Sequence, residues 1–320
     1  MTIKSLKRRG WLAAAFFFTI TLSAQIQFEP DRTIKETRLG IIRNTITTID
    51  DDAKAIIQRP LNNPNLTANA VKLFALIATD YQTTKYFQEN IEPLDRYVNP
   101  YLSFPPIVNQ TSFLRSATRG EDGYLYFGFA SMYAAGLIIG NEKLQEAGIL
   151  TTKAVIESYI VSHLVLKSVL GRHRPQRPLG EYGGNSRESS FPFVESPYDF
   201  FNWHLNILGS KAYGTGFPSY HATMYYAMAS VTSRVFDNYW IPHTVVTILW
   251  CYNMEGHNHW VSEVVAGIVI GEFIGKVVYE NYHEARANSK STRSKTKRWK
   301  SDVTLGQTFG VIGPKFAVSW

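Results

Sequence analysis

The stretch Lys167–Pro175, KSVLGRHRP, decides how this chain is read. It closes an apolar run with Lys167, Arg172, His173, Arg174 and, just beyond, Arg177. Gly171 stands where a helix ends in a left-handed residue, and Pro175 keeps the helix from resuming. The pattern predicts a helix over 151–171, TTKAVIESYIVSHLVLKSVLG, with Thr151 or Thr152 as its cap. Lys167 then lies about one turn before the helix end and Arg174 just past it, so both side chains are able to face one pocket. Cations at a helix C-terminus also complement its dipole, so this segment alone has a second, purely structural reading.

Two later segments change that balance. In GFPSYHAT, 216–223, Pro218 and Ser219 fall where a helix begins, leaving backbone N–H groups free to grip an anion. Ser219 offers a hydroxyl, although it would serve equally as an N-cap, and His221 stands in the first turn. In HNHWVSEVV, 257–265, His259 and Glu263 are four apart and share a helix face. A carboxylate there receives the proton of one ring nitrogen and leaves the other as a nucleophile.

Lys167-x6-Arg174-Pro175, Pro218-Ser219-Tyr220-His221 and His259-x3-Glu263 followed by Ala266-Gly267 together resemble the signature of the superfamily of type 2 phosphatidic acid phosphatases and vanadium haloperoxidases. That family's pattern is Lys-x6-Arg-Pro, Pro-Ser-Gly-His and Ser-Arg-x5-His-x3-Asp, and the likeness runs over roughly 120–283. The resemblance implies an all-α fold, a helical bundle whose pocket holds phosphate without a metal. By position it implies that Lys167, Arg174, Ser219 and the N–H of Tyr220 bind phosphoryl oxygens. His259 would attack phosphorus, Glu263 would orient it, and His221 would protonate the leaving alkoxide. The chemistry suits these residue types, because phosphoryl transfer needs in-line positioning and compensation of spread negative charge.

Three positions depart from the pattern. The Ser-Arg pair falls on Tyr252-Asn253, so Asn253 stands where the family has a phosphate-binding arginine. Tyr220 replaces glycine at the pocket mouth, and Glu263 replaces aspartate. Loss of one positioned donor costs about 3 kcal/mol of transition-state stabilisation, roughly 100-fold or more in rate. Arg172, Arg177, Arg187 and His257 are candidates to compensate, against a simpler assignment to the surface or to a supporting layer. His163, one turn before Lys167, either faces the same pocket or hydrogen-bonds in the core, and Trp260 reads as packing.

The rest of the chain frames this unit. Residues 1–24 read as a signal peptide: Lys4, Lys7, Arg8 and Arg9 precede the apolar WLAAAFFFTITLS and a small-residue site at Ala24. The 320-residue chain has a formal charge of +7; setting aside the +4 of that leader and the +6 of residues 284–301 leaves −3 for the body. The lone Cys251 excludes an internal disulfide. Residues 25–119 read as a lead-in with helices at 51–60, stopped before Pro60, and 65–91, capped by Asn65 or Thr67. A four-proline loop spans 93–110, and 120–283 forms the helical core. Within the core, 123–140 is apolar all round and reads as a helix buried in a bundle. The excursion 175–216 is irregular, and helices follow at 218–236, 242–252 and 259–285. The last carries Gly267, Gly271 and Gly275, a spacing that clears one face for close packing. Residues 284–301 read as a basic linker and 302–320 as a tail, either a short β-hairpin or irregular. No stretch offers 18 uncharged apolar residues in a row, which argues against membrane spans.

The resulting expectation is an exported, periplasmic, metal-independent phosphatase acting on phosphomonoesters, lipid phosphates among them, with no cofactor and no nucleic-acid partner. The basic stretch offers peripheral contact with an anionic membrane surface. Two alternatives accompany it: an anion-binding protein that has lost turnover, and a vanadate-dependent haloperoxidase, in which vanadate is cofactor and not inhibitor.

Overall fold

The computed structural model describes residues 38–93, 120–176, 178–180, 193–203, 215–252, 258–296, 300–308 and 311–319. Four helices come first: α1 (Arg38–Thr47), α2 (Ile49–Leu61), α3 (Leu66–Ala78) and α4 (Asp80–Asn90). Then follow α5 (Gly120–Ile139), α6 (Glu142–Leu170), α7 (Tyr220–Val235), α8 (Trp240–Tyr252) and α9 (Val261–Thr296). Strands β1 (Lys300–Thr308) and β2 (Val311–Ser319) pair antiparallel as a hairpin, from Lys300 opposite Ser319 to Thr308 opposite Val311. This is the all-α bundle with a terminal hairpin that the sequence predicts.

The axis of the bundle is α7 against α9, and the glycine spacing explains how closely they meet. A Cβ on Gly267 would lie 2.7 Å from the Ser219 carbonyl oxygen, one on Gly271 2.2 Å from that of Thr223, and one on Gly275 2.5 Å from that of Ala227. Each glycine thus admits one turn of α7, and the approach offsets the roughly 1 kcal/mol that glycine costs inside a helix. Around this axis Leu150 and Ala154 of α6, Ala227 and Val231 of α7, Ile274, Val278 and Tyr282 of α9 and Ile41 of α1 form one apolar core. Met224, Tyr225, Met228 and Val246 form a second, between α7 and α8.

Several boundaries differ from the sequence reading. Helix α6 starts nine residues earlier than 151: Asn141 Oδ1 caps it by accepting from Leu144 N at 3.1 Å. Thr151 is buried within that helix, and the Thr152 hydroxyl bonds back to the Gly148 carbonyl. The single helix expected over 65–91 breaks at Thr79, whose hydroxyl engages the Ala75 and Leu76 carbonyls and competes with the backbone ladder. Asn65 precedes α3 without a side-chain capping bond. Helix α2 runs one residue past Pro60. Helix α9 continues through 284–296, where a linker is expected, because Arg286 pairs with Glu142 at 2.6 Å and with Glu146, holding the extension against α6.

The largest departure concerns α5. Far from being enclosed, it exposes Phe127, Ile138 (84 %) and Ile139 to the outside. Ile156, Ile160, Val165 and Val169 of α6 and Trp240 and Ile248 of α8 are exposed too. Helix α6 is long and apolar enough to cross a membrane, and only a third of its most apolar window is buried.

Candidate active site

The first two signature segments lie side by side. Gly171 ends α6 with φ of +46°, and a Cβ there would fall 2.2 Å from the Asn202 carbonyl oxygen, so only glycine fits. Beyond it His173 bridges to Thr215, Gly216 N donates to the Arg172 carbonyl at 2.8 Å, and Arg174 Nε donates to the Thr215 carbonyl at 3.3 Å. The chain leaving α6 therefore runs beside the chain entering α7. The excursion folds back on the same edge, with Val194 bridging to Pro175.

The third segment closes on the second. Ser219 N donates to the Glu263 carbonyl at 2.9 Å, and the Ser219 hydroxyl both caps α7 and lies 3.2 Å from His259 Nε2. His259 Nδ1 is 2.7 Å from Glu263 Oε2, which also accepts from Trp260 N at 3.2 Å. With Glu263 ionised, the hydrogen sits on Nδ1, and Nε2 keeps its lone pair toward Ser219. Gly216 makes room for this pair: a Cβ there would lie 2.0 Å from Glu263 Oε2.

Burial sets the charges. Lys167 is only 3 % exposed, and burial together with the Arg174 guanidinium pushes its ammonium down to about 7, against the pull of Glu263. Burial pushes the Glu263 carboxyl up to about 8, with Arg172, Arg174 and Lys167 opposing and Asp80 reinforcing. His163 is driven down to about 4 by burial and by Lys167, His221 and Arg174. It stacks on Tyr159 at 4.9 Å and meets the edge of Tyr220 at 5.6 Å. Tyr220 lies edge-on to Tyr159 at 5.8 Å, and His221 follows it with its ring 6.2 Å from that of Tyr225. The residue in place of the family's glycine thus joins a cluster of rings around His163.

Lys167, Arg174, Ser219, His259 and Glu263 therefore belong to one neighbourhood, with His221 two residues along α7 from Ser219. Asn253, Arg177, Arg187 and His257 lie outside the described residues. Arg172, a candidate to compensate for Asn253, is fully buried and engages Asp80 at 2.7 Å and the Pro197 carbonyl, with Glu263 Oε1 3.7 Å away. Trp260 is packing, as read: it is fully buried, its indole N–H donating to the His173 carbonyl. Sequence reasoning missed Gly216 and Asp80. The glycine directly before Phe-Pro-Ser was a usable signal for the first; nothing local marks the second. Among the described residues no group of three or more His, Cys, Asp or Glu comes together to hold a metal ion.

The chain resembles known proteins in the same region. The family model for the PAP2 superfamily matches residues 147–287. A lipid A 4'-phosphatase of Porphyromonas gingivalis is 30 % identical over 92 residues, which is 28 % of this chain and 39 % of that protein. The match thus spans about two-fifths of the relative's length. No solved structure matches. The segment that matches the PAP2 superfamily, residues 147–287, contains all three signature stretches and the His259–Glu263 pair.

Proposed function

We propose that the protein is an exported phosphatase that cleaves phosphomonoesters through a phosphohistidine, with lipid phosphates as its substrates. The observation that carries this reading is the Ser219–His259–Glu263 chain of hydrogen bonds beside a buried Lys167. A phosphoryl group entering this neighbourhood meets Lys167 and Arg174, which neutralise its non-bridging oxygens, and the Ser219 hydroxyl and Tyr220 N–H at the start of α7. His259 Nε2 attacks phosphorus in line while Glu263 holds Nδ1–H and stabilises the developing imidazolium. The P–O bond to the leaving group breaks, and His221 gives its proton to the departing alkoxide. Water then attacks the phosphohistidine, His221 takes the water's proton, and inorganic phosphate leaves with His259 restored.

Two observations support a lipid substrate. One is the name of the Porphyromonas gingivalis relative. The other is the exposed apolar side of α5, α6 and α8, which rests against the lipid of a membrane in this reading, with the basic stretch that begins near Arg286 near anionic headgroups.

The test is a phosphatase assay of the chain lacking residues 1–24, with EDTA present, on p-nitrophenyl phosphate and on a lipid phosphate. Wild type turns over, His259→Ala does not, and Asn253→Arg is faster because it restores a missing donor. Phosphate or vanadate binding without hydrolysis, equal in wild type and His259→Ala, would establish the binding protein instead. Halide oxidation that requires added vanadate would establish the haloperoxidase.

A further inference from the structure

The N-terminus of α9 is closed by groups from a distant part of the chain. The first turn of any helix leaves amides without intrahelical partners. Here Trp260 N finds Glu263 Oε2, but Val261 N donates to Thr84 Oγ1 at 3.1 Å and Ser262 N to Asp80 Oδ1 at 2.9 Å. Both acceptors stand on α4, outside the segment that matches the family model. Asp80 Oδ2 also receives Arg172 Nη2 at 2.7 Å and the Ser262 hydroxyl. The ring closes through Arg172 Nη1, which donates to Ser262 Oγ at 2.8 Å. Asp80, Arg172 and Ser262 have no exposure and Thr84 has 1 %.

Arg172 is held on every side. The Pro197 carbonyl accepts from Nε at 3.0 Å and from Nη2 at 2.6 Å, and the guanidinium lies 4.7 Å from the Phe200 ring centre and 5.0 Å from that of Trp260. A planar donor fixed in this way holds its charge at a set place beside Glu263. Val261 and Ser262, with Trp260, are the residues between His259 and Glu263 in the sequence. A clamp on their amides therefore acts on the two members of the catalytic pair at once.

We propose that Asp80 and Thr84 are positioning residues of the active site, which fix the first turn of α9 and, through Arg172, the Glu263 carboxylate that aims His259. The proposal rests on the phosphohistidine reading. It makes α4 part of the catalytic unit, supplying contacts that the family segment lacks. Misplacing a nucleophile by about 1 Å costs up to roughly 100-fold in rate, while substrate contacts at Lys167 and Arg174 are left in place. The loss therefore falls on kcat and not on KM.

The experiment compares full-length wild type, His259→Ala, Asp80→Asn and Thr84→Val on p-nitrophenyl phosphate in EDTA, with kcat and KM separated from about pH 5 to 9. Circular dichroism and thermal unfolding report the fold. Asp80→Asn is expected to lower kcat roughly tenfold or more with KM within about twofold. It also moves the acid limb of kcat/KM to lower pH. Among the groups facing Glu263, which are Arg172, Arg174, Lys167, His259 and Asp80, it is Asp80 whose charge holds that carboxyl up. A folded Asp80→Asn protein with wild-type kcat and pH profile overturns the proposal. If Asp80→Asn does not fold, Thr84→Val decides, since it removes one hydrogen bond and keeps the side-chain shape. A fall in its kcat of about threefold or more at unchanged KM upholds the proposal, and a wild-type kcat overturns it. Wild type with no more turnover than His259→Ala is a separate outcome: the phosphatase reading itself then fails and the proposal with it.

Discussion

Glu263 Oε2 lies 2.7 Å from His259 Nδ1, and the same oxygen accepts the Trp260 amide. One carboxylate thus orients the imidazole and caps the helix that follows it, so the His259–Glu263 pair and the start of α9 form a single unit. Glu263→Gln presents an amide to Nδ1 and favours the wrong tautomer. The expected result is a fall in kcat of roughly 100-fold to 10,000-fold with the helical circular dichroism signal unchanged. A rate within tenfold of wild type would deny Glu263 this part.

The raised Glu263 carboxyl makes both activity and stability depend on pH. Its ordinary value is 4.5 and burial lifts it to about 8 in the folded chain. Activity needs the carboxylate, so the acid limb of kcat/KM should follow this group and rise toward pH 8, with loss of the Lys167 proton above about 7 working against it. For stability the sign is opposite. Between about pH 4.5 and 8 the folded chain holds a proton that the unfolded chain has released. This group's contribution is therefore full below 4.5 and is lost as pH rises to 8. Denaturant unfolding across that range should show the decline in wild type and a flatter profile in Glu263→Gln.

Lys167 titrates the other way. Burial and Arg174 bring it from 10.5 to about 7, so at pH 8 much of it is neutral in the free protein. An incoming phosphate dianion favours the ammonium, and binding should take up close to one proton at that pH. Calorimetric titration with inorganic phosphate in buffers of different ionisation enthalpy measures this. Lys167→Arg, always charged, should abolish the uptake; equal proton counts for the two proteins would contradict the assignment.

Gly216 and Gly271 test the packing that brings the segments together. Gly216→Ala places a methyl 2.0 Å from Glu263 Oε2 and should remove activity, because the His259–Glu263 pair must shift to admit it. Gly271→Ala meets the Thr223 carbonyl at 2.2 Å. It should lower stability by about 1–3 kcal/mol despite the helix propensity gained, as overpacking does. Thermal unfolding beside the phosphatase assay reads both; a stabilised Gly271→Ala would mean that α7 and α9 are further apart than described.

Much of the site was legible because its signals are short and local. Gly171 marks the end of α6, the Gly267, Gly271 and Gly275 spacing marks the face of α9 that meets α7, and the four-residue step from His259 to Glu263 brings the two side chains together, although α9 begins only at Val261 and His259 stands just before it. What local pattern could not give was partnership across the chain. Nothing around Asp80 tells that its carboxylate reaches Arg172 and the amide of Ser262, since that depends on the break at Thr79 and on where α4 docks. Arg172 looked like a spare cation beside Arg174 and proved to be committed to Asp80. The apolar pattern of α5 misled for a related reason, because a helix apolar all round reads the same whether its sides are enclosed or, as with Phe127, Ile138 and Ile139, left exposed.

The central claim is a covalent bond between phosphorus and His259 Nε2, and rapid acid-free quenching of the enzyme during turnover of a phosphorus-labelled substrate tests it most directly. The account predicts a labelled protein whose phosphate is lost in acid and kept in alkali, mapped to His259 and absent from His259→Ala. Label that persists in His259→Ala, or steady turnover by that variant, would contradict it.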